Sequence, residues 1–209
     1  MASAIRKQNK ITTLTQPDGS TTSEPAAMGC IAHQYFQSLF TAQNGDIQRV
    51  TNLLHPRLTE ADNVQLLHPF TMEEFRVALF SMYSDKSPGP DGLNPGFYKR
   101  FWDLLGHEIF HAGTQYWLQQ GAFPKQLNTT NVVLIPKKDN PTSMQDLCPI
   151  SLCNVIYKII SKVLANRVKV LLPKCISQEQ SAFVEQRSIL DNVLIAIEGD
   201  FLSLINHKI

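Results

Sequence analysis

A loop rich in proline and glycine, Ser87–Gly92, is the first segment with residue types suited to a chemical task. Its two prolines fix backbone φ, and its two glycines, including Gly89, leave backbone N–H groups open to a ligand. Such a loop can lie against a phosphate backbone at low entropic cost, with Lys86 and Asp91 orienting it. The same composition is also typical of a rigid turn between two helices.

A lysine after a predicted strand is the second candidate. Lys137 follows the apolar run Val132–Ile135 at the end of a predicted hairpin, where its ammonium can reach a triphosphate as a compact point charge. Most lysines in such places only increase solubility. The block around it has eight basic and two acidic residues. The basic ones are Lys125, Lys137, Lys138, Lys158, Lys162, Arg167, Lys169 and Lys174. A surface that follows phosphates needs such a patch, although a solvated helix face has one too.

A five-residue segment matches the zinc-protease pattern His-Glu-x-x-His. His107 and His111 stand four residues apart on a predicted helix, and Glu108 has the position of a general base. The extended form of the pattern needs a glycine and a third ligand where this chain has Thr114 and Trp117. We therefore expect no working zinc site here, and metalloprotease activity is the weakest of the alternatives.

Composition limits the class of protein. The chain has 209 residues, 43% of them hydrophobic, which suffices for a real core, and its 19 Lys plus Arg nearly balance 18 Asp plus Glu. The four cysteines have no paired spacing, and the basic N-terminus lacks the apolar run of a secretory signal. These features predict a soluble intracellular protein with reduced thiols and no membrane partner.

Periodicity and capping residues predict the elements of the first half. Pro17-Asp18-Gly19 between threonine-rich flanks predicts a small hairpin over residues 10–22. Ser23 is the predicted cap of a helix that runs to Asn44-Gly45, and 45–69 is a predicted linker with one short helix. Thr71 and Glu74 form the pattern of a capping box for a helix ending near residue 83.

The second half combines long helical patterns with one strand pair. We predict a helix over 95–120, a strand over 131–136 with a partner at 149–152, and a long amphipathic helix from 154 that ends at Pro173. Further helix starts are predicted at Ser177 and Ser188. The chain is therefore predicted to be α+β and mostly helical, with an N-terminal extension or linker at 1–70 and a second domain at 71–209.

Several of these segments, taken together, closely resemble one family. They are the loop Ser87–Gly92, the segment Leu134–Lys138, the run from Asp146 to Lys158, the helix up to Pro173, and Gln180 to Asn192. They resemble the reverse transcriptase of non-LTR retrotransposons, specifically the LINE type abundant in plant genomes. The resemblance extends from about residue 25 to the end, and it is most specific between 84 and 192.

The resemblance implies a partial right-hand polymerase fold that contains the fingers and only the start of the palm. It also implies a role for Lys137 in binding the incoming nucleoside triphosphate. The family has an arginine where this chain has Cys148, which lacks the donors for bidentate phosphate binding, and a glycine where it has Gln186. The implied contacts to an RNA or DNA template-primer are Lys86, Ser87, Gly89, Asp91, Lys158, Lys162, Gln180 and Arg187.

The same family uses magnesium ions held by aspartates, one in the first palm strand and two in a Tyr-x-Asp-Asp loop. This sequence has no adjacent pair of aspartates, and Glu198–Phe201 lies upstream of the expected first palm aspartate. We therefore expect a truncated fragment without a catalytic residue, bound metal or polymerase activity. The alternative is a nonenzymatic remnant that binds RNA or DNA. An intact relative would act in the nucleus, although no signal in this sequence supports that location.

Overall fold

The computed structural model describes residues 9–16, 18–42, 45, 47–121 and 123–177, and the single positions 180, 184, 187, 188 and 190. After residue 177, only those five single positions are described. The rest of the helices predicted after Ser177 and Ser188 therefore lies outside the described residues, as do Gln186 and the acidic segment Glu198–Phe201. Among the described helices, none has the length and apolar content needed to cross a membrane.

The N-terminal hairpin is confirmed. Strands β1 (Leu14–Thr15) and β2 (Thr21–Thr22) pair antiparallel, with Leu14 opposite Thr22. Gly19 has φ +85°, a left-handed conformation that glycine adopts without steric cost. The carboxylate of Asp18 accepts the backbone N–H of Ser20 at 2.9 Å, as is common in tight turns.

Helix α1 spans Pro25–Phe40. The prediction of Ser23 as its cap was wrong, because Glu24 has the cap position and makes no side-chain capping bond, while proline begins the first turn. The helix ends at Phe40, before the predicted Asn44-Gly45. Its apolar side packs on a small cluster formed by Leu14, Met144 and Leu147. The predicted linker holds two helices rather than one, α2 (Ile47–Thr51) and α3 (Glu60–Leu67).

Helix α4 spans Met72–Phe80 and begins with the predicted capping box. Glu74 accepts the backbone N–H of Thr71 at 2.7 Å, and the Thr71 hydroxyl accepts the N–H of Glu74 at 3.3 Å. The helix ends about one turn earlier than predicted. Its buried side chains, Phe75, Ala78 and Leu79, enter the main core.

The predicted helix over 95–120 consists of three pieces. They are α5 (Pro95–Arg100), α6 (Trp102–Ala112) and a π-helical segment, Gly113–Gln119. Phe101 interrupts the first two with φ −106° and ψ 22°. At the start of the π-helical segment Gly113 packs against Phe75, where an added Cβ would lie 2.5 Å from the ring. The sequence pattern could not reveal either break.

A short helix, α7 (Lys125–Asn128), leads into the second hairpin. Strands β3 (Thr130–Pro136) and β4 (Leu147–Cys153) pair antiparallel, each slightly longer than predicted. A 3₁₀ turn, Met144–Asp146, precedes β4. Since directly opposed residues share a face, the face with Leu134 and Leu147 turns toward the small cluster.

Helix α8 spans Val155–Lys169 and supplies the centre of the main core. Pro173 does not end it, because α8 stops at Lys169 and the proline lies in the first turn of a separate helix, α9 (Leu172–Cys175). The buried core residues are Phe75, Ala78, Leu79, Tyr98, Trp102, Ile109, Val155, Ile159, Ile160 and Val163. The predicted α+β, mostly helical class is confirmed.

Candidate nucleic-acid interface

The proline and glycine loop is fastened to the start of α8. Gly89 is buried against the junction of β4 and α8, where an added Cβ would lie 2.4 Å from both the backbone nitrogen and the side-chain oxygen of Asn154. Asn154 is 2% exposed, and its Oδ1 accepts the backbone N–H of Asp91 at 3.2 Å. Its Nδ2 donates to the carbonyl oxygens of Gln126 and Leu127 at 3.3 and 3.1 Å. One buried amide therefore joins the loop, α7 and α8.

Asp91 also closes the far side of the loop. Its carboxylate accepts the backbone N–H of Leu93 at 3.0 Å. Burial, together with the Asp91 carboxylate beside the phenol, raises the pKa of Tyr98 to about 12. The phenol therefore stays protonated at all physiological pH values and serves as a hydrogen-bond donor. These bonds hold the loop in one shape. Both interpretations of the loop, a rigid turn and a preorganised phosphate-binding loop, require such a fixed shape.

Lysines of α8 lie beside this loop. The ammonium of Lys158 donates to the carbonyl oxygen of Ser87 at 3.1 Å, which brings two of the predicted contact residues together. Lys162 is exposed one turn further along the helix. Lys169 is exposed on the same side, because the eleven residues from Lys158 make just over three full turns. Lys86 is exposed next to Ser87. We name the loop Ser87–Gly92 with these four lysines the loop-lysine surface.

The second hairpin carries the two predicted nucleotide-binding residues on one face. Cys148 stands directly opposite Ile135, and Lys137 is two residues after Ile135. The Lys137 ammonium donates to the Gln145 carbonyl oxygen at 3.0 Å, so it must leave this bond to reach a ligand. Cys148 is partly buried and is a free thiol.

Gln180 and Arg187 are also brought together. The Arg187 guanidinium donates to the carbonyl oxygen of Gln180 at 2.8 Å and to that of Ser177. Arg187 is therefore engaged with the backbone of its own segment.

Arg167 is a member of the basic block that the structure uses internally. Its guanidinium forms a two-pronged ion pair with Glu74, with N–O distances of 2.6 and 2.9 Å. It also donates to the carbonyl oxygens that end α3 and precede α4, those of Leu66, His68 and Pro69. The ring of Phe70 lies 3.7 Å from the guanidinium carbon. In the sequence Arg167 is only one charge of the basic block, because no local pattern marks contacts about a hundred residues away.

The residues of the zinc-protease pattern all lie on the exposed side of α6. His107, Glu108 and His111 are exposed, and the His111 ring meets the edge of Tyr116 with centroids 6.4 Å apart. In the part of the chain that the structure describes, no three His, Cys, Asp or Glu side chains group closely enough to hold a metal ion. The described residues therefore do not fit a zinc centre or the magnesium site of a polymerase.

Three described carboxylates have a pKa that a paired cation lowers. Hydrogen bonding from Lys174 lowers the pKa of Asp62 to about 2, and hydrogen bonding from Lys138 lowers the pKa of Asp146 to about 2. Arg167 likewise lowers the pKa of Glu74. These ion pairs join α3 to α9, close the tip of the β3–β4 hairpin, and join α4 to α8.

These shifts predict a loss of stability in acid. A carboxylate whose pKa is lower in the folded state stabilises that state above its unfolded pKa of about 4, and the stabilisation disappears as pH falls toward the folded value. The urea midpoint, followed by circular dichroism, should be level between about pH 7 and 5 and fall steadily from about pH 4 to 2. The variant Asp62→Asn should fall less steeply over that range. Equal midpoints at both ends of the range would contradict the expectation.

Comparison with known proteins gives the chain a relative. No protein-family model matches it. A protein of Xenopus laevis, the Transposon TX1 uncharacterized 149 kDa protein, is 33% identical over 192 residues, which are 91% of this chain. The chain spans only 14% of the length of that relative. Through most of its length, then, the chain is similar to one segment of a transposon protein.

Proposed function

We propose that this chain is the fingers region of a non-LTR retrotransposon reverse transcriptase, and that it binds an RNA or DNA template-primer through the loop-lysine surface. The observation that carries the proposal is the bond between the Lys158 ammonium and the Ser87 carbonyl oxygen. It places a rigid glycine-containing loop and a row of lysines on one continuous surface. The similarity to a transposon protein supports the same family.

The geometry of this surface suits a phosphate backbone. Lys158 and Lys162 are separated by a helical rise of about 6 Å, so their ammonium groups can meet neighbouring phosphates. The loop needs no reordering on binding, because Asn154 and Asp91 already hold it. Affinity from such contacts comes from counterion release and carries little sequence preference.

The hairpin face with Lys137 and Cys148 is the proposed place of the nucleoside triphosphate. Lys137 can supply one positive charge there after leaving the Gln145 carbonyl oxygen. Cys148 offers only a weak S–H donor, so bidentate phosphate binding from this position is lost. We therefore propose weak triphosphate binding and no strand synthesis by these 209 residues, which contain no adjacent aspartates. Nucleic-acid binding is the function that the described residues support.

Removing the two lysines of α8 should weaken binding to an RNA·DNA duplex. For the variant Lys158→Gln/Lys162→Gln we expect about tenfold lower affinity at about 100 mM salt, because two phosphate contacts are lost. The slope of log affinity against log salt should decrease by roughly 1.5 to 2. Fluorescence anisotropy with a labelled blunt duplex measures both quantities. On a separate substrate with a recessed primer end on an RNA template, the wild-type preparation should not extend the primer when nucleotides and Mg²⁺ are added.

The control variant removes one positive charge from a position outside the loop-lysine surface. Arg57 is exposed in the segment between α2 and α3, so Arg57→Gln changes the net charge by one without touching the loop. Its affinity should stay within about twofold of wild type. The single variant Lys162→Gln keeps the Lys158 bond to Ser87 and should show about half of the slope change. Unchanged affinity and slope in the double variant would refute the proposed interface, and primer extension would refute inactivity.

A further inference from the structure

Three aromatic side chains are exposed where α4 ends and α5 passes beside it. Tyr83 is 76% exposed, Phe80 45% and Phe101 40%. The edge of Phe80 meets the buried Trp102, with ring centroids 6.4 Å apart, so Phe80 rests on the main core. Phe101 lies against Phe97 with centroids 5.0 Å apart. Phe80 and Phe101 therefore rest on other aromatic rings, and all three side chains are at least 40% exposed.

Cations surround the Phe80 ring. The guanidinium carbon of Arg76 is 5.2 Å from the ring centroid, and the ammonium of Lys99 is 5.8 Å from it. Arg100 is exposed in the same turn of α5 as Lys99. The neighbouring acid, Glu73, lies 3.7 Å from Arg76, but both side chains are well exposed and such a pair is weak and screened by salt.

The turn that carries Tyr83 is anchored on both sides. The Lys99 ammonium donates to the carbonyl oxygen of Met82, the residue before Tyr83. The backbone N–H of Gly96 donates to the carbonyl oxygen of Ser84, the residue after it, at 3.0 Å. The approach is close, because a Cβ added to Gly96 would lie 3.1 Å from that oxygen. Tyr83 is therefore an exposed side chain on a fixed backbone.

We infer that this patch, formed by Phe80, Tyr83 and Phe101 with Arg76, Lys99 and Arg100, binds a single-stranded nucleic acid by stacking its bases. Fixed aromatic faces among cations are what sequence-tolerant single-strand binding uses. Tyr83 stands four residues before Ser87, where the loop of the loop-lysine surface begins. Four residues span at most about 14 Å, so a strand that leaves a duplex held there is within reach of Tyr83. This inference rests on the proposed function only for that proximity.

The positive charges favour nucleic acid over a protein partner. A protein-binding patch of exposed aromatics is usually depleted of charge at its centre. Here Phe80, which is 45% exposed, is approached by two cations within 6 Å. A nucleic-acid strand offers base faces that stack on the rings and phosphates that pair with the cations.

The variant Tyr83→Ala tests the stacking. The probes are a blunt RNA·DNA duplex, the same duplex with a single-stranded extension of about six nucleotides, and that extension built from abasic sugar-phosphate. In wild type the extension should raise affinity, and the abasic extension should raise it less. Tyr83→Ala should reduce the gain at least about fivefold, because one stacked base is lost, while Tyr83→Phe should retain it. Anisotropy measures each affinity.

The matched control is Tyr116→Ala, since Tyr116 is a half-exposed tyrosine in the π-helical segment. It should leave the gain from the extension unchanged. The inference is overturned if the extension adds no affinity, if the abasic extension adds as much, or if Tyr83→Phe loses as much as Tyr83→Ala. The two proposals can fail separately. If the lysine variants bind the blunt duplex as wild type does, but Tyr83→Ala still weakens binding of a free single strand, the proposed function fails and this inference stands.

Discussion

Replacing Arg167 by alanine is expected to lower the free energy of unfolding by about 3 kcal/mol. The side chain is 13% exposed and its partner Glu74 is 30% exposed, so the pair is largely shielded from water. Losing it leaves a partly buried carboxylate and three carbonyl oxygens without their donor, and removes the stacking on Phe70. For a chain of this size the melting temperature should fall by about 6 to 12 °C, measured by circular dichroism.

A conservative variant separates charge from geometry. Arg167→Lys keeps one positive charge but cannot form both bonds to Glu74 and reach the carbonyl oxygens of Leu66 and Pro69 as well, so it should recover less than half of the loss. Lys162→Ala, an exposed position on the same helix, should change the melting temperature by less than about 2 °C. A stable Arg167→Ala variant would mean that α3 and α4 are held to α8 by apolar packing alone.

Local rules predicted much of the fold. The capping box at Thr71, the turn around Gly19 and the strand pair β3–β4 each depend on residues within a few positions of one another, and each was found. Two of the errors have equally local causes. Glu24 replaces Ser23 at the start of α1 because proline fixes the first turn one residue later than the serine would. Pro173 begins α9, a position that proline favours.

Long-range contacts limited the prediction of the site. The residue types of the loop-lysine surface were visible in the sequence, and the periodicity of α8 placed its lysines on one side. The buried amide of Asn154 and the network of Arg167 were not visible, since their partners lie 27 to 101 residues away along the chain. The close contact between Gly113 and Phe75, which lies in another helix, was likewise not visible. A single sequence contains no pattern that reports such pairs.

The loop-lysine surface depends on a close approach that only glycine permits at position 89. A methyl group there would lie 2.4 Å from the nitrogen of Asn154 and 2.6 Å from the carbonyl carbon of Cys153. Both are backbone atoms at the start of α8, where Val155 is completely buried, so they cannot move aside. The loop must move instead. It then loses the bond from the Asp91 N–H to Asn154 and the bond from Lys158 to Ser87.

The variant Gly89→Ala should therefore lose about 2 kcal/mol of stability and bind the blunt RNA·DNA duplex at least about tenfold more weakly. Urea unfolding and anisotropy measure the two effects. Gly29→Ala is the control, because Gly29 lies in α1 with nothing within 4 Å of an added Cβ, and it should be neutral or slightly stabilising. A Gly89→Ala protein that is destabilised but binds as wild type would show that the loop is only a structural turn. If stability is also unchanged, the contact with Asn154 does not hold the loop.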